Sequence, residues 1–236
     1  MNYKTLCIIP AYNEEKNIEK VLNNLSIFNK KNNNLISEIV VINDGSTDKT
    51  EEVIKKFIQS QKDTKITLLN HHINRDQGAS LETGNTYARK NRAEIVIHFD
   101  ADGQHYEEDI KDAISLLKKE NYDVILGSRF LGKKSNIPLL KKKVLMPLAK
   151  IVNKIFFNIN LSDPQSGFRV FNKKALNKLI ITQDGMAHCS EILYKIFQNN
   201  LKVKETPITV TYHEFGQNLS GGIRIVKDII LKKIIN

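Results

Sequence analysis

Asp100 and Asp102 stand one residue apart in Phe99-Asp100-Ala101-Asp102-Gly103-Gln104-His105, directly after an apolar run. Two carboxylates aimed into one crevice from a strand end concentrate like charge, which is costly unless something cationic sits there. A hard divalent ion shared with phosphate oxygens suits that place, because Mg²⁺ takes one or two carboxylates plus substrate phosphates. A solvated acidic turn is the other reading of a lone Asp-x-Asp. Two more polar turns follow apolar runs: Asn13 and Glu14 after Leu6 to Ile9, and Asn43 and Asp44 after Glu38 to Ile42.

The elements that must position these turns alternate. Leu6 to Ile9 is continuously apolar, the mark of a strand buried on both faces. Ile18, Val21, Leu22, Leu25 and Phe28 fall on one helical face. Residues 38–43 form the next strand, and Asp48 with Glu51 opens a helix through Val53, Ile54, Phe57 and Ile58. Residues 65–70 read as a third strand, 79–90 as a helix, and 94–99 as a fourth strand. A helix follows with Glu107, Glu108 and Asp109 in its first turn, and then a fifth strand from Tyr122 to Leu126. This order predicts an α/β fold, a mostly parallel sheet with helices on both faces, whose ligands lie at the carboxyl ends of the strands. From about residue 127 the alternation stops, and strand character returns over residues 202–212.

The 236 residues suit one domain, and 41% hydrophobic with 26% charged residues excludes a disordered chain. The net charge of +10 calls for an anionic partner: phosphorylated substrate, acidic membrane surface or nucleic acid. Two distant cysteines, Cys7 and Cys189, give no metal or redox spacing and read as buried thiols. The N-terminal apolar run ends at Pro10, too short for a signal peptide, and no stretch of about 18 apolar residues occurs. A cytoplasmic protein with at most peripheral membrane contact is expected.

Pro10-Ala11-Tyr12-Asn13-Glu14, Asn43-Asp44-Gly45-Ser46-Thr47-Asp48 and Asp100-Ala101-Asp102-Gly103-Gln104 together resemble the family 2 glycosyltransferases, inverting enzymes of the GT-A fold. Gly127-Ser128-Arg129-Phe130 and Asp163-Pro164-Gln165-Ser166-Gly167-Phe168-Arg169 are similar to one branch, the dolichol-phosphate mannosyltransferase-like and polyprenyl-phosphate sugar transferases. The resemblance runs from residue 5 to about 222. It implies a catalytic domain over 1–222, with a donor-binding half to about 127, an acceptor and membrane-side half beyond, and a basic helix over 223–236. It further implies a nucleotide-sugar donor held by Pro10, Tyr12, Glu14, Asp44, Gln77 and Asp100. A divalent metal, Mg or Mn, would sit on Asp102 and Gln104, and Arg129 and Arg169 would pair with phosphates. Three places depart from the pattern. Asn43 replaces an aspartate, Asp76 stands where glycine is usual, and the loop from Tyr212 to Ser220 lacks its usual basic residue.

An inverting displacement onto a hydroxyl needs a general base, for which Glu191 and His188 are the candidates; each also reads as a helix-start residue or a supporting hydrogen-bonder. A phosphate acceptor, with a second pKa of about 6, needs none. Residues 133–158 place Lys143, Lys150 and Lys154 on one helical face and Val144, Leu148, Ile151, Val152 and Ile155 on the other. That stripe suits either an anionic membrane surface or a core-packed helix with a solvated face. Ile223, Val226, Ile230 and Ile234 form a second stripe. The reading is sugar transfer to a polyprenyl phosphate or glycolipid at the cytoplasmic membrane face. The rivals are a sugar-to-sugar transferase, a nucleotidyltransferase and a basic nucleic-acid-binding protein. Nucleic acid is not expected as a partner, because the acidic strand ends would repel its phosphates.

Overall fold

The computed structural model describes residues 3–132 and 161–211. Seven strands form one sheet in the order β3-β2-β1-β4-β6-β5-β7. They are β1 (Thr5–Ala11), β2 (Glu38–Asn43), β3 (Ile66–Asn70), β4 (Ile95–His98), β5 (Val124–Ser128), β6 (Arg169–Asn172) and β7 (Val203–Pro207). Between them run helices α1 (Ile18–Lys31), α2 (Thr50–Ser60), α3 (Asp76–Lys90), α4 (Asp109–Lys119), α5 (Lys173–Lys178) and α6 (His188–Gln198). Only β6 runs against its neighbours, antiparallel to both β4 and β5, so the sheet is mostly parallel as the alternation predicts.

Every residue of β1 is buried, because helices cover both faces of the sheet. Cys7, Ile9 and Ala11 pack with Ile18, Val21 and Leu22 of α1, Ile54 of α2 and Ile110 of α4. Leu6 and Ile8 point the other way, onto Leu81 and Ala88 of α3, Ala175 of α5 and Ile192 of α6. Each such Leu or Ile contributes about 1.5–3 kcal/mol on burial. Pro10 is tolerated in this central strand because the ladder with β4 ends at the Ile8–His98 pair, two residues earlier.

Several bounds differ from the sequence reading. The second helix starts at Thr50, and Asp48 precedes it, its carboxylate accepting the Thr50 N–H at 2.9 Å. α3 starts three residues early, at Asp76, which takes the left-handed φ of 70° that glycine would fill; aspartate tolerates it better than most residues. Glu107 and Glu108 lie just before α4 rather than in its first turn. The fifth strand is shifted two residues onward, and the last ends at Pro207. β6 was not anticipated at all. The lysine-rich residues 133–158, the loop from Tyr212 to Ser220 and the stripe over 223–236 lie outside the described residues. Among the described residues no helix is long and apolar enough to cross a membrane.

Candidate active site at the carboxyl ends of β1, β2 and β4

The three polar turns meet at one end of the sheet because β1, β2 and β4 are parallel neighbours. Asn13, with a left-handed φ of 55°, ties the first turn to the second: its N–H reaches Ser46 Oγ at 3.0 Å and its Oδ1 accepts the Thr47 N–H at 2.9 Å. Tyr12 is 45% exposed beside this junction, while Pro10 is buried. The Glu14 N–H donates to Thr50 Oγ1 at 2.8 Å, and Glu14 Oε2 accepts from Asn17 Nδ2 at 2.8 Å. Burial raises the Glu14 pKa; the Asn17 bond opposes that, and the charges of Asp102, Asp100 and Asp48 add to it. Negative charge from three turns therefore converges here, the condition under which a cation is bound.

Asp44 is buried, and its Oδ1 meets His71 Nδ1 at 2.6 Å and the Arg75 N–H at 3.0 Å. His71 Nε2 in turn meets Thr83 Oγ1 at 2.8 Å. Asn43, in place of an aspartate, donates to Asn70 Oδ1 and accepts the Ser46 N–H.

The Asp100 carboxylate faces inward. Gln77 Nε2 donates to its Oδ1 at 3.0 Å, and His105 Nε2 meets its Oδ2 at 3.0 Å. Burial would raise its pKa, but the bond to and charge of His105, with the charges of Arg169 and His188, hold it below the usual carboxylate value. Asp102 Oδ1 accepts the Gln104 N–H at 2.9 Å, which sets the turn. The loop is held from outside by the 209–211 segment: Thr211 N–H donates to the Gln104 carbonyl, and His105 bridges Val210. Among the described residues no three His, Cys, Asp or Glu cluster tightly enough to hold a metal alone. An ion bound in this crevice would need oxygens beyond the protein's own, such as those of a diphosphate.

The remaining expected residues lie on the far side of β4. Arg129, after β5, is gripped by Asp163: the carboxylate takes its backbone N–H at 3.1 Å, Nε at 2.6 Å and Nη2 at 2.7 Å. Asp163 is held by Glu205 of β7, whose carboxylate accepts the N–H groups of Ser162 and Asp163. Arg169 opposes His98 in the β4–β6 ladder and is 2% exposed, so its guanidinium sits beneath the site rather than on its surface. Glu191 accepts from the Thr182 and Gln183 N–H groups, the Thr182 hydroxyl and Lys195 Nζ. This loop caps α3, since the Asp184 carbonyl accepts the Gly78 N–H at 2.6 Å. A β-carbon on Gly78 would stand 2.0 Å from the Gln183 carbonyl, so the loop and helix meet only through glycine. His188 is fully buried, with Nδ1 2.9 Å from the Gly185 carbonyl.

Of the residues expected from the sequence, Glu14, Asp44, Gln77, Asp100 and Asp102 lie at this end of the sheet; the sequence pattern carries no sign of the bonds made by His71 and Glu205 or of the grip of Asp163. His105 falls within the Asp100–His105 turn, which is its signal in the sequence; Glu205 and His71 carry none.

The Glycosyl transferase family 2 profile matches residues 6–180. The chain is 32% identical over 245 residues to the UDP-N-acetylglucosamine–dolichyl-phosphate N-acetylglucosaminyltransferase of Methanococcus voltae, covering 96% of this chain and 95% of that one. It is 28% identical over 235 residues to a dolichyl-phosphate beta-glucosyltransferase of Trichomonas vaginalis, covering 94% and 71%. Among solved structures, glucosyl-3-phosphoglycerate synthase from Mycobacterium tuberculosis, in complex with Mn²⁺, UDP and phosphoglyceric acid, superposes with a TM-score of 0.70 at 17% identity. That match covers 97% of this chain and 76% of that one, and shows a shared GT-A fold. The match to the family profile over most of the chain, on a GT-A sheet with its acidic turns in place, establishes that the chain belongs to glycosyl transferase family 2.

Proposed function

We propose that the protein transfers a sugar from a nucleotide-sugar donor, with inversion, to a polyprenyl phosphate at the cytoplasmic face of a membrane, and that donor binding requires Mg²⁺ or Mn²⁺. The donor half rests on Tyr12, Glu14, Asp44, Asp100 and Asp102 at one end of the sheet and on the dolichyl-phosphate transferases among its relatives. The observation that carries the acceptor is the engagement of both candidate bases. Glu191 already accepts from the Thr182 and Gln183 N–H groups, and His188 is fully buried. A hydroxyl acceptor needs a base within reach of the nucleophile, whereas an ionised phosphate does not.

In this reading Asp102 and Gln104 hold the cation, which when bound supplies positive charge against that growing on the leaving diphosphate. Glu14 and Asp44 orient the nucleoside end, and Gln77 and His105 fix Asp100. Arg129, kept in place by Asp163, faces the phosphates, and Arg169 keeps Asp100 ionised from below. The +10 charge and the lysines over 141–154 favour an anionic membrane surface as partner.

The test is transfer from labelled UDP- and GDP-sugars to a short polyprenyl phosphate, with and without Mg²⁺ or Mn²⁺. Label moves into the organic phase only with metal, and Asp102→Ala abolishes it while leaving the melting temperature of the free protein unchanged. Equal transfer in chelator, or by Asp102→Ala, overturns the metal assignment.

A further inference from the structure

Among the described residues Arg169 is the largest fully buried side chain, and its charge is permanent. A buried cation without a counter-charge is strongly unfavourable. Among the described residues its Nη1 has no hydrogen-bond partner, and the Asp100 carboxylate, which feels its charge, is hydrogen-bonded to Gln77 and His105. Its Nη2 lies 3.3 Å from Cys189 Sγ. On the other side of that sulfur, 3.4 Å away, is His188 Nε2. The Gly185 carbonyl can only accept, so the hydrogen on His188 belongs to Nδ1. The neutral ring therefore presents Nε2 to the thiol as an acceptor.

We propose that Cys189 is carried as a thiolate, its proton resting on His188 Nε2, and that this buried anion is the counter-ion that positions Arg169 beneath the active site. Cys189 and His188 are 4% and 0% exposed, so no water screens the three charges. Cys189 also lies in the first turn of α6, where the helix dipole favours an anion. Burial opposes ionisation of the thiol, yet the charges of His188 and Arg169 outweigh it and bring its pKa down to about 6. His188 moves upward: burial lowers it, but the Cys189 charge and hydrogen bond, with the Gly185 carbonyl, raise it against burial and the charge of Arg169. From β4, His98 stays neutral, pushed well down by burial and by the charges of Arg169 and His188. Among the described residues Asp100 is the remaining charged group whose charge couples to the cluster. Cys189 is thus a positioning residue that acts through Arg169.

The ionised state is tested without any assay of turnover, so it stands or falls apart from the reaction proposed above. In a Cys7→Ala protein Cys189 is the one thiol, and its thiolate ultraviolet absorbance is followed against pH. The expected midpoint is near 6, moving up in Cys7→Ala/His188→Ala; a midpoint at or above about 8.5, that of a free thiol, overturns the proposal. The positioning role, which rests on the reaction above, is read from turnover. Cys189→Ser, similar in size but not ionisable, should lose about tenfold or more in kcat with the donor KM little changed, and Cys189→Asp should regain part of it. Wild-type kcat in Cys189→Ser overturns the positioning role.

Discussion

Gly167 lies so close to Asp100 that a β-carbon there would stand 2.2 Å from its Oδ2. The turn before β6 thereby packs against Asp100 in the conformation in which its carboxylate receives both Gln77 and His105. Gly167→Ala should displace the carboxylate, weaken the donor by about tenfold or more, and cost about 1–3 kcal/mol of stability through overpacking. Donor titration by thermal shift checks it, and unchanged donor affinity would contradict the placement of Asp100.

The Arg129–Asp163 pair makes a second prediction. Asp163 is fully buried and Arg129 is 17% exposed, so removing the carboxylate leaves a largely desolvated guanidinium. Asp163→Ala should cost about 3–5 kcal/mol and lower kcat with it. Glu205→Gln, one step further from Arg129, should produce a weaker version of the same effect. A Glu205 variant more damaging to turnover than the Asp163 variant would break this order.

Glu191 separates stability from catalysis. Burial raises its pKa, but Lys195, the Thr182 hydroxyl and the Gln183 and Thr182 N–H groups together lower it below the ordinary glutamate value. A carboxylate with a depressed folded pKa contributes stability that is complete above its unfolded pKa and is lost as pH falls through the folded one. Glu191→Gln should therefore be about 1–3 kcal/mol less stable at neutral pH, with the gap closing in acid. Most of its turnover should remain. Denaturant midpoints across pH check the first part, and a gap that widens in acid would refute it.

The strands β1 to β5 were legible because each is an apolar run between helical stripes, and the acidic turns followed from the rule about strand ends. β6 was not, for a physical reason. It is four residues long, and a buried strand that begins with Arg169 has no apolar run to read. Its reversed direction inserts it between β4 and β5, which the order of elements alone does not suggest. The two arginines are legible as cations, but their partners are not: Arg169 is buried beside Cys189 and half-buried Arg129 is gripped by Asp163, respectively 20 and 34 residues away. Glu191 illustrates the same limit. Its sequence neighbours suit a base, and only the fold brings Thr182 and Gln183 onto its oxygens.

The central claim is that the nucleophile is a phosphate and needs no protein base. It is tested most directly by offering the protein a short polyprenyl phosphate and the polyprenol of the same length with one labelled donor, and comparing kcat/KM for wild type and Glu191→Gln. The account predicts product with the phosphate alone, at a rate that Glu191→Gln largely retains. Transfer to the alcohol that disappears in Glu191→Gln would contradict it and establish a hydroxyl acceptor.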